Sequence, residues 1–263
     1  MHKARKRFGQ NFLHDERVIN RIVRAINPLP KDNIVEIGPG QGALTEPLLD
    51  ACDGSLQVVE LDRDLIPILR VKFFNAKNLQ IHESDALKFD FGSLAQQAPL
   101  RVVGNLPYNI STPLMFHLLT FGTQIKDMHF MLQKEVVARI CAEPGNSDYG
   151  RLTVMMQYYC DTEYLFTVGP GAFNPAPKVD SAIVRLVPKD ASLLTATDAT
   201  DFSDLVRQSF SQRRKTLKNN LKGWLTGDDI AAVGIEPSLR PERVSLPDFV
   251  ALSNRYSESK RSD

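Results

Sequence analysis

Apolar and polar positions along the chain follow two alternating patterns. Between residues 34 and 187, short apolar runs alternate with stretches in which apolar residues recur every three or four positions. The short runs are typical of buried parallel strands, and the periodic stretches are typical of helices. Strands are predicted at 34–37, 56–59, 79–82, 101–104, 128–132, 164–168 and 182–187, and helices at 43–49, 64–74, 112–119, 135–141 and 152–159. This alternation predicts an α/β fold with an open, mostly parallel, Rossmann-like sheet covered by helices on both faces.

The two ends of the chain depart from this alternation. Near the amino terminus, Asp15 precedes apolar residues at helical spacing, which predicts a capped helix that ends before Pro28. After Pro188 the sequence becomes small and polar, and it then shows only helical spacing, at 202–224, 228–233 and 248–256. We therefore predict a Rossmann-like sheet domain with its amino-terminal arm at residues 1–192 and a small all-helical domain at residues 193–263.

The first predicted strand runs directly into three glycines at alternate positions, Gly38, Gly40 and Gly42. Glycine adopts backbone angles that other residues avoid and lets a ligand approach the main chain. The free N–H groups at the start of the following helix then face that ligand. One glycine would suffice for a tight turn, so three glycines indicate a nucleotide-like ligand.

Two nucleotide ligands fit this loop. Gly38, Gly40 and Ala43 match the dinucleotide pattern G-x-G-x-x-G/A, and Glu60 lies about twenty residues on, where a ribose-binding acid belongs. The acid Glu36 and the third glycine resemble instead the first motif of Rossmann-like methyltransferases, which bind S-adenosylmethionine. The loop alone does not decide between these two ligands.

A parallel sheet binds ligands beyond the carboxyl ends of its strands, so we expect one crevice to gather the residues that follow four successive strands, Gly38, Glu60, Asp85 and Asn105.

Composition restricts the class of protein. The 263 residues are 43% hydrophobic and 24% charged, as in ordinary soluble proteins. No apolar run is long enough to span a bilayer and no signal core precedes residue 30, so we expect a cytoplasmic protein without a membrane partner. The three cysteines lack metal-ligand spacing and the five histidines are scattered, so we expect buried thiols in a reducing compartment and no metal site.

The net charge of +1 conceals two basic segments. Residues 1–30 and residues 204–223 each carry a net charge of +5, which leaves −9 on the remainder. The first segment contains the arm residues Arg5, Lys6 and Arg7. In the second, Arg214, Lys218 and Lys222 recur every four residues, which predicts one docked helix with a basic stripe. The two segments are either solvated charged faces or the binding surface for a polyanion, and the stripe suits RNA phosphates.

The residues Asn105, Leu106, Pro107 and Tyr108 match N-[LIVP]-P-[YF], the catalytic loop of methyltransferases that act on exocyclic amines. The N6 nitrogen of adenine is a poor nucleophile because its lone pair is shared with the ring. A side-chain amide oxygen and a backbone carbonyl can accept both of its hydrogens, and an aromatic ring can stack on the base. A sulfonium methyl group is already activated, so positioning does most of the work and no strongly shifted base is required. The motif therefore favours S-adenosylmethionine as the cofactor.

Segments 3–13, 35–40, 105–112 and 173–181 together resemble the ribosomal RNA adenine N6,N6-dimethyltransferase family. The similarity is greatest to the bacterial branch that acts on 16S rRNA, whose loss confers kasugamycin resistance. The resemblance implies contacts to S-adenosylmethionine from Asn11, Leu13, Gly38, Glu60, Asp85 and Asn105. Glu60 would take the ribose hydroxyls and Asp85 the adenine amino group. Asn105 and Tyr108 would hold the target base, and Phe173 would either close its other face or belong to the core.

The resemblance also implies a reaction. A monomeric enzyme would transfer methyl groups to N6 of two adjacent adenosines in a hairpin loop near the 3′ end of 16S rRNA, within the 30S subunit or its precursor. A role in small-subunit biogenesis would follow. Three rivals stay open: a 23S rRNA adenine methyltransferase that confers macrolide resistance, a nicotinamide-dependent oxidoreductase, and a non-catalytic RNA-binding or assembly factor.

Overall fold

The computed structural model describes residues 11–52 and 56–262, with the side chain of Ser262 left out. The predicted basic arm with Arg5, Lys6 and Arg7 lies outside the described residues. The helices are α1 (Glu16–Ile26), α2 (Thr45–Ala51), α3 (Leu65–Lys72), α4 (Ser111–Leu119), α5 (Lys134–Ile140), α6 (Arg151–Tyr159), α7 (Ala199–Ser209), α8 (Leu217–Asn220), α9 (Gly227–Ala232) and α10 (Leu246–Ser262). The strands are β1 (Phe12–Leu13), β2 (Asn33–Ile37), β3 (Leu56–Glu60), β4 (Leu79–Glu83), β5 (Leu100–Asn105), β6 (Ile125–Gln133), β7 (Cys160–Val168), β8 (Phe173–Asn174) and β9 (Ser181–Pro188).

Seven strands form the main sheet in the order β4-β3-β2-β5-β6-β9-β7. Strands β2 to β6 run parallel, and β9 pairs antiparallel with β6. Strands β3 and β4 lie on one side of β2, and β5 and β6 lie on the other, and such a switch point opens a crevice at the carboxyl end of the sheet. The mostly parallel α/β sheet predicted from the sequence is therefore confirmed.

Helix α1 forms as its sequence predicts and packs on the sheet. Asp15 accepts hydrogen bonds from the N–H groups of Arg17 (2.9 Å) and Val18 (3.2 Å), which caps the helix. Its apolar face joins Ile34 of β2 and Leu48 of α2 in one buried core cluster. Each such side chain contributes about 1.5–3 kcal/mol when fully buried, so the core at this end of the sheet holds the strand ends in place.

The chain divides into two compact units. The first runs to Val137 and resumes over Glu163–Pro188, and the second contains Ala138–Thr162 and the chain from Lys189 onward. The second unit is built from helices, in line with the absence of strand patterns after residue 193. It also takes in α6, which composition alone assigned to the sheet domain. The functional division at residue 192 stays a prediction.

The single helix predicted at 202–224 is wrong, and with it the basic stripe along one helix face. Helix α7 ends at Ser209, and α8 spans only Leu217–Asn220. The N–H groups of Leu217 and Lys218 donate to the carbonyls of Leu239 (2.6 Å) and Pro237 (3.0 Å), so they are not available to a continuous helix. Arg214 and Lys222 lie in turns on either side of α8, and both are exposed, as is Lys218.

Candidate active site

The glycine loop after β2 adopts the backbone conformation that its composition predicts. Gly42 has φ +80°, and a Cβ atom there would lie 2.6 Å from the ring of Phe73. Only glycine fits both restrictions. The N–H of Gly38 donates to the carbonyl of Val59 (2.9 Å), which ties the loop to β3. Helix α2 begins at Thr45, two residues later than predicted, because residues 40–44 form a turn.

A cavity of about 350 Å³ opens at the carboxyl ends of four successive strands. Its wall comes from the segments that follow β2, β3, β4 and β5, and from the residues around β1. The predicted site residues that line it are Asn11, Leu13, Gly38, Glu60, Asp85, Asn105, Leu106, Pro107 and Tyr108. The structure therefore brings together in the first unit the side chains that the sequence places at separate strand ends.

Glu60 is a buried acid at the end of β3, and its carboxylate is held on both sides. One oxygen accepts from the N–H of Asp62 (2.8 Å), and the other accepts from the N–H of Gly40 (3.3 Å). Burial raises the pKa of Glu60, while these backbone hydrogen bonds partly offset the effect. The arrangement joins the glycine loop to the second strand end and presents a fixed acceptor to the cavity.

Glu36 is a second buried acid on the cavity wall. Burial raises its pKa to about 7, and the nearby charge of Glu60 acts in the same direction. The hydroxyl of Thr45 donates to its carboxylate at 2.5 Å, which favours the ionised form. Its position before the glycines marks it as part of a sequence motif, but nothing in that motif predicts so large a shift in its pKa.

Asn105 ends β5 and turns its side chain toward the amino-terminal segment. Its Nδ2 donates to the backbone carbonyl of Asn11 (3.2 Å). This contact uses one N–H of the amide group, and the amide oxygen can still accept a hydrogen bond. The chain then turns: the N–H of Leu106 donates to the carbonyl of Met131 (3.2 Å), and Pro107 accepts from the N–H of Ile110 (3.1 Å).

Tyr108 lines the same cavity and is held by a partner that sequence reasoning missed. Its hydroxyl is hydrogen-bonded to Oγ of Ser181 at 3.0 Å. Ser181 begins β9 and is completely buried, and its register partner is Gln133 of β6. The signal was present, because Ser181 closes the segment 173–181 that supports the family resemblance.

Phe173 lies outside the cavity lining. Its side chain is only 4% exposed and belongs to the core cluster, and it does not line the cavity. Strand β8 pairs with β1 so that Phe173 lies opposite Leu13. This placement favours the core alternative and gives no support to stacking on a base.

Residues 11–52 and 56–262 contain neither a metal-binding cluster nor a membrane-spanning helix. No group of three or more His, Cys, Asp or Glu side chains in these residues is arranged to hold a metal ion. Within the same ranges, no helix combines the length and apolar character that crossing a bilayer requires.

Comparison with known proteins gives consistent matches over nearly the whole chain. The sequence profile described as "Ribosomal RNA adenine dimethylase" matches residues 1–258. A protein of Pseudomonas syringae pv. syringae (strain B728a), named ribosomal RNA small subunit methyltransferase A, is 60% identical over 258 residues, which cover 98% of this chain and 96% of that protein. A protein of the same name from Acinetobacter baylyi (strain ATCC 33305 / BD413 / ADP1) is 61% identical over 255 residues, which cover 97% and 93%.

Solved structures give the same result. A dimethyladenosine transferase from Plasmodium falciparum superposes with a TM-score of 0.82 at 28% identity, covering 95% of this chain and 98% of that one. The 23S rRNA methyltransferase ErmE superposes with a TM-score of 0.72 at 26% identity, covering 94% and 100%.

Together, the sheet and its superpositions define a Rossmann-like methyltransferase. Nothing in these matches favours a nicotinamide-dependent oxidoreductase. The match over residues 1–258 and the relatives at about 60% identity place the chain more narrowly: it belongs to the ribosomal RNA adenine dimethylase family. The resemblance seen in the sequence is thereby confirmed.

Proposed function

We propose that this protein transfers methyl groups from S-adenosylmethionine to N6 of two adjacent adenosines in the hairpin loop near the 3′ end of 16S rRNA, giving N6,N6-dimethyladenosine. The substrate would be the 30S subunit or its precursor, and the enzyme would act as a monomer in the cytoplasm. The observation that carries the proposal is one cavity that gathers Glu60, Asp85 and the loop from Asn105 to Tyr108. Relatives named for the small ribosomal subunit support the 16S target.

The cavity residues fit S-adenosylmethionine. The held carboxylate of Glu60 can accept hydrogen bonds from both ribose hydroxyls. Asp85 uses one oxygen to accept from the N–H of Leu87 (3.0 Å), and its other oxygen can accept from an adenine amino group. Gly38 gives the ligand access to the main chain, and Asn11 and Leu13 line the same cavity. When bound, the cofactor supplies an activated sulfonium methyl group.

The loop from Asn105 to Tyr108 would hold the target adenine. Oδ1 of Asn105 and the carbonyl of Leu106 accept the two N6 hydrogens, which fixes the nitrogen in line for attack. Positive charge develops on N6 as the nitrogen–carbon bond forms, and these two oxygens stabilise it before the proton leaves to water. Pro107 limits the conformations of the turn, and the ring of Tyr108 stacks on the base.

The helical unit and the basic arm would hold the RNA. Arg214, Lys218 and Lys222 are exposed around α8, although they do not share one helix face. Basic side chains at the surface bind phosphates by releasing counterions, and this needs no helical stripe. Arg5, Lys6 and Arg7 would add contacts of the same kind from the amino-terminal arm.

The direct test uses small and large ribosomal subunits from cells that lack this protein. Incubation with the purified enzyme and labelled cofactor is followed by primer extension on both rRNAs. We expect stops at two adjacent adenosines near the 3′ end of 16S rRNA. A stop in 23S rRNA alone would support the macrolide-resistance type of enzyme instead, which the relatives named for the small ribosomal subunit do not favour.

A further inference from the structure

Helix α3 and the turn after it expose an apolar surface where an ordinary surface helix is polar. Ile68 is 36% exposed, Val71 is 79% exposed and Phe74 is 86% exposed. Seven large apolar side chains are exposed in the described residues, and four of them fall between residues 61 and 74. Ile68 and Val71 lie three residues apart on one face of α3, with the buried Ile66 and Leu69 on the other side, and Phe74 follows in the turn after Lys72. We call these three residues the α3 surface.

The edges of the α3 surface are basic. Segment 65–77 contains Arg70, Lys72 and Lys77 and no acidic residue. All three basic side chains are exposed, and among the described residues only Lys72 of the three forms an ion pair, with Glu46 at 2.7 Å. An acidic partner is therefore complementary to this face, and the apolar centre requires that the partner also present flat or apolar groups.

The amino-terminal end of α3 adjoins the candidate active site, although Ile68, Val71 and Phe74 do not line the cavity. Leu61, Asp62 and Leu65 line the cavity, and α3 begins at the last of them. A substrate that brings a base into the cavity would continue across neighbouring surface. Single-stranded RNA combines the properties required here, because its phosphates pair with basic groups and its unstacked bases pack on aromatic rings.

We propose that the α3 surface binds a single-stranded segment of the rRNA substrate, with a base packed on Phe74 and phosphates on Arg70 and Lys77. This inference rests on the proposed function. It adds a binding surface in the first unit to the basic residues of the helical unit. A second copy of this chain and a ribosomal protein are the competing occupants.

Photo-crosslinking at position 74 distinguishes these occupants. Phe74 is replaced by p-azidophenylalanine, and the full-length protein is irradiated with small subunits from cells that lack it. We expect a light-dependent adduct with 16S rRNA. The matched control carries the same analogue at Leu193, an apolar residue that is 63% exposed and lies in a segment, 190–206, without Lys or Arg. The control should give an rRNA adduct at least about tenfold weaker. An adduct mainly with a ribosomal protein, an adduct with a second copy, or an equal rRNA adduct at Leu193 would overturn the proposal.

A binding measurement keeps the proposal testable apart from crosslinking yield. Phe74→Ala should weaken subunit binding about tenfold, because loss of one base–aromatic stack has this order of effect. Arg70→Ala with Lys77→Ala should flatten the slope of log affinity against log salt by about 1.4, as expected for two lost contacts to a single strand. Affinity for S-adenosylmethionine should not change in either variant.

The outcomes separate this inference from the proposed function. If wild-type protein methylates 16S rRNA while these variants bind subunits normally, only the α3 inference fails. If wild-type protein methylates no rRNA, the proposed function fails first.

Discussion

The side-chain amide of Asn105 donates a hydrogen bond to the backbone carbonyl of Asn11 over 3.2 Å, although 94 residues separate the two. Asn11 directly precedes β1, which is fixed to the first unit by its pairing with β8. The amino-terminal segment therefore sets the orientation of the amide, with its NH2 group toward Asn11 and its oxygen free to accept. This contact explains how a loop residue can be held rigidly enough to position a weak nucleophile.

Asn105→Asp tests whether the orientation of this amide matters. The substitution keeps the shape of the side chain, but a carboxylate cannot donate to the Asn11 carbonyl, and the facing oxygens repel each other. We expect methyl transfer to fall by about 10²-fold or more, since a small displacement of a reacting group has an effect of this size. Single-turnover rates with saturating cofactor measure it, and thermal unfolding checks the fold. A rate within about twofold of wild type would contradict the assigned role.

Ser181 should act on the reaction only through Tyr108. Tyr108→Phe and Ser181→Ala each remove the 3.0 Å hydrogen bond. Such a bond contributes about 1 kcal/mol, so each substitution should slow methyl transfer several-fold. The double variant should be no slower than either single variant, because both remove the same contact. Additive losses would show that Ser181 acts by another route.

Ser253→Ala is the control for this cycle. Ser253 is also completely buried, but its hydroxyl has no hydrogen-bond partner in the described part of the chain. Its removal should leave the rate unchanged and should not destabilise the protein.

Glu36 should make the protein less stable as the pH rises from about 4.5 to about 7. In this window the unfolded chain releases a proton that the folded protein retains, so the free energy of unfolding falls with rising pH. The gap between the ordinary value of 4.5 and the raised pKa of about 7 corresponds to about 3 kcal/mol. Glu36→Gln keeps an acceptor for Thr45 and should remove most of this loss.

Denaturant titrations at several pH values measure the effect. The exposed Glu135 of α5 supplies the control, and Glu135→Gln should leave the pH dependence as it is in the wild type. If Glu36→Gln and wild type keep parallel curves from pH 4.5 to 7, the assigned pKa shift of Glu36 is contradicted.

Gly42→Ala and Gly234→Ala separate two effects of a left-handed glycine. The φ angles are nearly equal, +80° and +81°, but a Cβ at Gly42 would meet the Phe73 ring while Gly234 has open space. Gly234→Ala should destabilise by about 1 kcal/mol through backbone strain alone. Gly42→Ala should cost roughly 1–3 kcal/mol more, the range for overpacking. Equal losses in thermal unfolding would mean that Phe73 moves aside freely.

The sequence was sufficient to predict those parts of the site that depend on local hydrophobic pattern. Short apolar runs located the strands, and in a parallel sheet their carboxyl ends lie at one edge, so the convergence of Glu60, Asp85 and Asn105 followed from topology. Contacts between distant segments were not predictable in this way. Strands β1 and β8 have two residues each, too few for any periodicity, and the hydrogen bond between Tyr108 and Ser181 depends on how β9 pairs with β6.

The wrong prediction of one continuous helix at 202–224 has a similar cause. The apolar spacing continues across the break, so pattern alone favoured one helix. A buried side chain, Asn220, instead closes the turn: its Nδ2 donates to the carbonyl of Gln212 (3.2 Å), and Ser211 donates to its Oδ1 (3.3 Å). Polar contacts of this kind give no periodic signal, which is why the exposed basic residues were assigned to the wrong geometry.

The most direct measurement of the central claim is mass spectrometry of 16S rRNA from cells that lack this protein and carry either the wild-type chain or Asn105→Ala. The account predicts that wild type restores N6,N6-dimethyladenosine at two adjacent positions near the 3′ end. Asn105→Ala should leave both adenosines unmodified while still binding small subunits. Full dimethylation by Asn105→Ala, or no restoration by wild type, would contradict the account.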